Sequence, residues 1–328
     1  MRVGVVGAGM AGLAAARTLQ DAGHEVIVFE KSRGFGGRAA TRRIGDYTFD
    51  SGASLITPRG SHLENVMLNE ISTEHLIKIE KPIYVHAFGR ATSADLEHKA
   101  PARYCYRDGM NTLGKLLGKN LDVRLETKVD ELHRIPTGGY RMRGEDFDAI
   151  VLTPPIPQTA ELLMTAGESR NFNGCRYRMC LSVLFGFDQP LDTPYHALIE
   201  PDQTEPLTWL SIESVKVPGP FRAPEGHSAM VAQMSARYSR YAYDKSDEEI
   251  IKETLIDVSR IFGEKFKSPV VSGLMRWKHS HASNTVSFES VNKPGSKLVI
   301  ASDGLIGARL QQAYDVGVQA AQSLLETK

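Results

Sequence analysis

The chain has 328 residues, of which 41% are hydrophobic and 24% charged, a composition typical of a folded protein and not of a disordered one. Its 39 basic and 39 acidic residues cancel to a formal net charge of zero, which argues against a nucleic-acid partner. No apolar stretch approaches the roughly 18 residues of a membrane span, so we expect no membrane partner. Three scattered cysteines, Cys105, Cys175 and Cys180, indicate neither a disulfide framework nor a zinc site and favour a reducing, cytoplasmic location.

The first 30 residues predict a complete βαβ unit, with a strand at 1–6, a helix at 10–22 and a strand at 25–30. The sequence Gly7-Ala8-Gly9-Met10-Ala11-Gly12 stands between the first strand and the helix. Glycines at this spacing allow a tight turn and a close approach of the backbone to a pyrophosphate. Glu30, at the end of the second strand, is placed to accept hydrogen bonds from ribose hydroxyls. The unit therefore predicts dinucleotide binding.

A second glycine-rich segment, Arg33–Arg38 (RGFGGR), follows directly. A plain NAD-binding domain has no need of it. Gly36 and Gly37 would let the backbone pass close to a ligand, and Arg38 would place a charge against phosphate. The next motif, Asp50–Ala53 (DSGA), suits a packed turn under a planar ring, although by itself it is more typical of a structural turn.

The middle of the chain predicts further elements of the first unit and then a change of character. Residues 58–103 lack clear periodicity. A helix is predicted at 111–119, and strands at 121–129 and 149–153. Beyond residue 158 the pattern predicts a β-rich region with one capped helix: strands at 179–187, 207–213, 228–235 and 270–277, and a helix at 247–262.

The C-terminal part predicts further elements of the first unit, a buried strand at 297–301 and a long helix at 308–326. Ser302-Asp303-Gly304 lies between them. Asp303 thus sits at the carboxyl end of a strand, where α/β folds bind ligands, and can accept hydrogen bonds from a polyol chain. The alternative role for Asp303 is a simple helix cap.

These motifs together resemble the FAD-binding motifs of the flavin amine oxidase superfamily. The resemblance implies an α/β fold with a Rossmann-like FAD-binding domain and a smaller, β-rich (α+β) substrate domain. The predicted FAD-binding domain comprises residues 1–57, 98–158 and 291–328, and the predicted substrate domain comprises residues 58–97 and 159–290.

The resemblance also implies a set of cofactor contacts, with residues 128–129 as the strand whose backbone touches adenine. FAD is expected to be noncovalent, because no cysteine follows Cys180 to carry a covalent link. The predicted cofactor-binding residues are Gly7, Gly9, Met10, Ala11, Gly12, Glu30, Lys31, Gly36, Gly37, Arg38, Ser54, Lys128, Val129, Thr153, Ser302, Asp303, Arg309 and Leu310.

Within the superfamily the chain is most similar to the renalases. Asp108–Asn111 before a helix, and Arg276–Ser280 (RWKHS) ahead of the C-terminal motif, carry this likeness. Ser54-Leu55 and Ser302 depart from the usual renalase pattern, and the first of these departures, at the expected pocket wall, affects the expected substrate more than the cofactor. The resemblance implies that a 2- or 6-dihydro isomer of NAD(P) gives a hydride to FAD, and that oxygen then reoxidises the flavin to yield hydrogen peroxide.

The candidate substrate-pocket residues are Arg59, Trp277, His279 and His281. Arg59 could contact a phosphate, and Trp277 could either stack on a nicotinamide ring or fill the core. The two histidines alternate along a strand, but no third ligand is visible, so no metal is predicted. No catalytic acid or base is assigned, since an electron-rich dihydro donor needs none.

Two other functions stay open from sequence. The first is oxidation of an amine or another small donor, for which an aromatic cage beside the flavin is expected. The second is a non-catalytic flavin-binding redox sensor with a closed site. The sequence does not predict an oligomeric state.

Overall fold

The computed structural model describes residues 1–87, 90–93, 101–136 and 138–326. This part of the chain contains a five-stranded parallel sheet, a seven-stranded sheet and three smaller sheets. The predicted α/β class, with a Rossmann-like part and a second sheet-rich part, is confirmed. The division into two domains stays a prediction, and its boundary between residues 97 and 98 lies outside the described residues.

The strands in chain order are β1 (Arg2–Val6), β2 (Glu25–Phe29), β3 (Thr41–Ile44), β4 (Tyr47–Asp50), β5 (Leu76–Lys78), β6 (Ile83–Ala87), β7 (Arg90–Ser93), β8 (Tyr104–Tyr106), β9 (Asp122–Arg124), β10 (His133–Arg134), β11 (Tyr140–Met142), β12 (Glu145–Phe147), β13 (Ala149–Leu152), β14 (Arg176–Phe187), β15 (Ala197–Ile199), β16 (Leu207–Ile212), β17 (Ser228–Met234), β18 (Val271–Asn284) and β19 (Leu298–Ile300). The helices are α1 (Met10–Asp21), α2 (His62–Asn65), α3 (Asn111–Leu117), α4 (Ile156–Thr165), α5 (Glu213–Lys216), α6 (Ala236–Ala242), α7 (Asp247–Phe262), α8 (Phe288–Val291) and α9 (Leu310–Leu325).

The parallel sheet has the spatial order β19, β13, β1, β2 and β9. Its central strands are continuous apolar runs, as expected where both faces of a sheet are covered. Helices α1 and α9 pack closely against each other. A Cβ at Gly317 of α9 would lie 2.1 Å from the backbone oxygen of Ala11, so only glycine permits this approach. The packing sets the middle of α9 against the first turn of α1.

The seven-stranded sheet has the order β18, β14, β17, β16, β15, β6 and β7, and only β15 and β6 run parallel. One face is covered by α7, whose Ile250 and Val258 join a core with Leu181 and Val183 of β14. Alternate residues of these strands therefore point away from the helix, and Leu184 and Val231 among them pack with Tyr47 and Phe49 of β4. The predicted cap of α7 is confirmed, because the Ser246 hydroxyl accepts a hydrogen bond from the third residue of the helix.

Several predicted elements have the wrong length. The predicted strand at 121–129 is only three residues long, as β9. The strand predicted at 270–277 continues to Asn284 because it pairs with β14 almost throughout. The prolines after β13 end that strand as expected, but they also begin α4, where Pro155 is the N-cap and Pro157 lies in the first turn. No helix within the described ranges is long and apolar enough to cross a bilayer.

Candidate functional site

The turn between β1 and α1 leaves no room for side chains. Gly7 has a φ of 103°, and a Cβ at Gly12 would lie 1.9 Å from the Gly7 oxygen. A Cβ at Gly7 would lie 2.5 Å from the hydroxyl of Thr153, the first residue after β13. Helix α1 begins at Met10, and no described side chain caps its N-terminus at Gly9. The positive end of the helix dipole is therefore open to an anionic ligand.

Glu30, the first residue after β2, lies at the edge of this turn and is only 7% exposed. Its carboxylate accepts hydrogen bonds from the backbone N–H groups of Ala8 and Ser32, each at 2.8 Å. The N–H of Thr127 donates to the Glu30 carbonyl, so the chain after β9 runs beside it. Lys31 is exposed next to it. A carboxylate thus borders the glycine turn on the side away from α9.

The strand predicted to carry Lys128 and Val129 is wrong. Strand β9 ends at Arg124, and both residues lie in irregular backbone. Glu126 has a φ of 52°, which turns the chain out of the sheet, and the next N–H bonds to Glu30 instead of extending β9. Val129 is buried and the Lys128 side chain is exposed. Lys128 and Val129 nevertheless come directly after Thr127, whose N–H donates to the Glu30 carbonyl.

The second glycine segment lies directly against the first. The N–H of Gly36 donates to the Ala8 carbonyl at 2.9 Å, and Gly36 forms an isolated bridge with Gly9. Gly37 has a φ of 58°, and a Cβ there would lie 3.1 Å from the Gly9 Cα. Helix α3 closes the other side, where a Cβ at Gly114 would come within 2.6 Å of the Gly36 nitrogen. Residues 7–12 and 34–37 thus lie side by side with their backbones in contact, and they are here called the glycine strip.

Arg38 joins this strip to the C-terminal motif. Its guanidinium donates to the carboxylate of Asp303 at 2.7 Å and to the carbonyl of Ser280 at 3.0 Å. Asp303 is 3% exposed and also accepts from the Tyr177 hydroxyl at 2.8 Å and from the Ala282 N–H at 3.3 Å. Residues 265 positions apart in sequence therefore meet at one point. The N-terminal and C-terminal motifs share one site.

The charge of Asp303 is maintained by these contacts. Burial by itself would raise the pKa of the carboxyl, but the hydrogen bond and charge of Arg38 outweigh it and lower the pKa. The neighbouring Ser302 is fully buried, and its hydroxyl accepts from the N–H of Gly304 to cap the short 3-10 turn at Asp303–Leu305. Asp303 is thus held ionised at the carboxyl end of β19.

Residues Ser51–Ser54, here called the wall segment, lie between the glycine strip and the seven-stranded sheet. The N–H of Gly52 donates to the carbonyl of Ala40 at 3.3 Å, and the N–H of Ala53 donates to the carbonyl of Arg38 at 2.9 Å. The carbonyl of Ser51 accepts from the Trp277 indole N–H at 2.9 Å, and the carbonyl of Gly52 accepts from the Gln233 amide at 2.7 Å. The wall segment therefore couples the predicted cofactor strip to the sheet face.

The sheet face beside the wall segment is uncharged. Gln233 and Trp277 both contact the wall segment, and strand register places their cross-strand neighbours on the same face. The side chains at these positions are Cys180, Ser182, Trp209, Gln233, Met275 and Trp277. The indole nitrogen of Trp209 is buried and has no hydrogen-bond partner among the described residues. A buried N–H left in this way lacks the partner that such a donor normally has.

The carboxylates closest in sequence to the wall segment and the sheet face are not free. Asp50 precedes the wall segment, and Glu213 follows β16; both are fully buried. Each pairs with Lys216 and with Arg222, at distances of 2.8 to 3.2 Å. Burial would raise the pKa of Asp50, but the charges of Arg222 and Lys216 outweigh it and hold the pKa below its usual value. Neither carboxylate can act as an accessible base.

Other predicted residues lie apart from the wall segment. Arg59 has a φ of 50° and sits in the exposed turn before α2. Arg309 and Leu310 form the N-cap and first residue of α9. His279 and His281 lie on β18 beside the Arg38–Asp303 contact. Burial lowers the pKa of both, assisted by Lys278 at His279 and by Arg178 at His281.

Sequence reasoning missed Ser182, Trp209 and Gln233. They stand within apolar strands and belong to no motif. The one available signal was the glutamine in the otherwise apolar run Ser228–Met234, which alternation places opposite the core-facing residues. Trp277 was predicted, and its indole nitrogen is used by the wall segment.

Comparison with known proteins gives consistent matches. Residues 5–70 match the model of an NAD(P)-binding Rossmann-like domain, and residues 76–325 match the model of the flavin containing amine oxidoreductases. AofH of Mycobacterium tuberculosis, assigned as a flavin-containing monoamine oxidase, is 56% identical over 54 residues. That alignment covers 16% of this chain and 12% of AofH, so it spans a small part of either protein.

Two solved structures share the fold over nearly the whole chain. A protein of Exiguobacterium sp. 255-15 assigned as a protoporphyrinogen oxidase has a TM-score of 0.79 at 16% identity, covering 98% of both chains. The cyclohexylamine oxidase of Brevibacterium oxydans IH-35A has a TM-score of 0.74 at 13% identity, covering 99% of this chain and 98% of that one. At these identities the likeness concerns the fold.

Proposed function

The chain belongs to the family of flavin-containing amine oxidoreductases, and from this premise we propose that it oxidises 2- or 6-dihydro isomers of NAD(P). Family membership makes it an FAD-dependent oxidoreductase. The dihydronicotinamide substrate and oxygen as the electron acceptor are the specific part of the proposal. The non-catalytic sensor is set aside, because the family is one of oxidoreductases.

The residues of the site fit FAD. The glycine strip is packed so closely that Cβ atoms would collide with neighbouring atoms of the chain, and the uncapped start of α1 suits a pyrophosphate. We assign Glu30 to the adenosine ribose, Arg38 to phosphate and Asp303 to the ribityl hydroxyls. Bound in this way, and noncovalently, FAD supplies the hydride-accepting chemistry that protein side chains lack.

A Glu30→Ala variant is expected to bind FAD about tenfold to hundredfold more weakly, because charged hydrogen bonds of this kind contribute about 1.5–3 kcal/mol. The measurement is a titration of the flavin-free protein with FAD, followed by flavin fluorescence. Glu25→Ala is the matched control, since Glu25 begins the strand that Glu30 follows and its side chain is exposed. An affinity equal to that of the wild type would remove Glu30 from the cofactor site.

The substrate part of the proposal depends on the uncharged sheet face. A dihydronicotinamide ring is neutral and electron-rich, and loss of its hydride carries away two electrons and leaves an oxidised nicotinamide. No proton has to be removed, so the absence of a free carboxylate among the six face residues is compatible with this chemistry. We assign the unpartnered Trp209 N–H and the half-buried Gln233 side chain to the carboxamide of the substrate, whereas an ammonium group would need a negative partner.

Amine oxidation is the second candidate. The family match over residues 76–325 favours it, and Trp209 and Trp277 on one sheet face could flank a neutral alkylamine. It requires the amine to enter uncharged, because Asp50 and Glu213 are already neutralised by Lys216 and Arg222.

Anaerobic flavin reduction separates the two candidates. Mixed with 6-dihydroNAD, the purified holoprotein is expected to lose its visible flavin absorbance at least about tenfold faster than with putrescine or cyclohexylamine at equal concentration. Ordinary NADH, with its hydride at the usual ring carbon, is the control donor. Air is then admitted, and hydrogen peroxide is measured against the flavin reoxidised.

Trp209→Phe is the variant in the same assay, because it keeps an aromatic side chain but removes the indole N–H together with its five-membered ring. It is expected to raise the dihydroNAD concentration needed for half-maximal reduction. Faster bleaching by the amines than by 6-dihydroNAD would reject the dihydronicotinamide proposal in favour of amine oxidation.

A further inference from the structure

Four charged side chains, of which only Asp50 belongs to a motif seen in the sequence, form a cluster behind the wall segment. Asp50, Glu213, Lys216 and Arg222, here called the buried charge cluster, all have side chains that are 0% exposed. Two carboxylates and two cations give a formal charge of zero. Ion pairs of this quality are rarely buried without a specific role, because removing four charges from water is costly.

The cluster connects three parts of the chain. Asp50 also accepts hydrogen bonds from the Thr41 hydroxyl at 2.9 Å and from the Met110 N–H at 2.8 Å. Arg222 also donates to the Tyr106 carbonyl at 2.7 Å. The segments that flank the glycine strip are thereby joined to the end of β16 through one set of charges.

Lys216 links the cluster to the wall segment directly. Its ammonium donates to Asp50 and Glu213 and, at 2.9 Å, to the carbonyl of Ser54. Asp50 is covalently the residue before Ser51, so the cluster holds the wall segment at both ends. The sheet face holds its middle through Trp277 and Gln233.

We propose that the flavin ring lies against the wall segment, that the buried charge cluster positions this segment, and that the neutrality of the cluster sets the reduction potential of the bound flavin. The proposal rests on the cofactor site described above, and it is independent of which substrate is oxidised. Its four members are positioning residues. In a protein interior one unbalanced charge acts over several ångströms of low dielectric, so each member is expected to influence the electron affinity of a ring on the other side of the wall segment.

The test compares removals of opposite charge in the FAD-loaded protein. Lys216→Met leaves one excess negative charge and is expected to shift the flavin potential downwards. Asp50→Asn leaves one excess positive charge and is expected to shift it upwards. A spectroelectrochemical titration against a reference dye measures both. Glu213→Gln is carried in parallel with the same expected sign as Asp50→Asn, so that one poorly folding variant does not decide the result.

The double variant Asp50→Asn/Lys216→Met separates charge from position. It restores neutrality, so the potential is expected to return close to the wild-type value. The Ser54 carbonyl still lacks the Lys216 donor in this variant. Its KM for the substrate that the enzyme oxidises is therefore expected to be about tenfold above the wild-type value, while kcat changes less. Potentials that move in the same direction for both single-charge removals, or that do not move, would overturn the proposal.

The outcome is distinguishable from failure of the proposed substrate. If the potentials move in opposite directions while 6-dihydroNAD fails to bleach the flavin, the cluster proposal stands and the substrate proposal falls. If 6-dihydroNAD bleaches the flavin while the potentials do not respond, the reverse holds.

Discussion

A Gly52→Ala variant is expected to lose most of its flavin and to unfold at a clearly lower temperature. A Cβ at this position would lie 1.9 Å from the Arg38 oxygen and 3.2 Å from the Ala40 nitrogen, which are backbone atoms. The wall segment would have to separate from the glycine strip, breaking the hydrogen bonds that join them. Overpacking of this kind costs about 3 kcal/mol. The melting temperature should fall by roughly 4–5 °C.

Gly34→Ala is the matched control for this substitution. Gly34 lies in the second glycine segment, but a Cβ there would meet nothing within 4 Å. Its flavin-to-protein absorbance ratio and melting temperature are expected to equal those of the wild type. If Gly52→Ala also retained full flavin occupancy and melted normally, the contact between the wall segment and the strip would not matter for cofactor binding.

The glycine motifs could be predicted because their physical requirement is local. Gly7 and Gly12 are needed where a strand turns sharply into a helix, and the flanking βαβ pattern is complete within about 30 residues. Asp303 was identified by the same logic, as an acid at the carboxyl end of a buried strand. The structure brings it to Arg38, as two motifs serving one ligand require.

The buried charge cluster could not be predicted, because its members belong to different local patterns. Lys216 meets Asp50 across 166 positions in sequence, and each alone resembles an ordinary surface charge. The motif at Asp50 indicated a packed turn, which the structure supports, but not the cations that neutralise it. Only the three-dimensional arrangement shows that the charges compensate.

The sheet face was missed for a related reason. Strand pairing decides which residues become neighbours, and the register of β14, β17 and β16 is set by turns far from Ser182, Gln233 and Trp209. The prediction centred instead on the RWKHS motif. Its tryptophan does contact the wall segment, whereas its histidine lies beside the Arg38–Asp303 contact.

An Arg38→Leu variant is expected to bind FAD about tenfold to hundredfold more weakly and to be destabilised even without flavin. Removing the guanidinium leaves the carboxylate of Asp303 buried and without its cation. Breaking a buried pair in this way costs about 3 kcal/mol, at the lower end of the usual range because the Arg38 side chain is 30% exposed. Denaturant unfolding of both flavin-free proteins measures the loss, and FAD titration measures the affinity.

The pH dependence of that loss identifies its cause. In the wild type the pKa of Asp303 is lowered, so the carboxylate contributes stability above its unfolded value near 3.8 and loses it as the pH falls through the folded value. Without Arg38, burial dominates and the pKa of Asp303 in the folded variant rises. Protonation of Asp303 therefore stabilises the folded variant as the pH falls from neutrality. The stability gap between the two proteins should therefore narrow towards acid pH.

The double variant Arg38→Leu/Asp303→Asn has no carboxyl to protonate, and its gap to the Asp303→Asn single variant should not vary with pH. A gap between wild type and Arg38→Leu that stays constant from neutral to acid pH would mean that Arg38 stabilises the site by packing and not by holding the charge of Asp303.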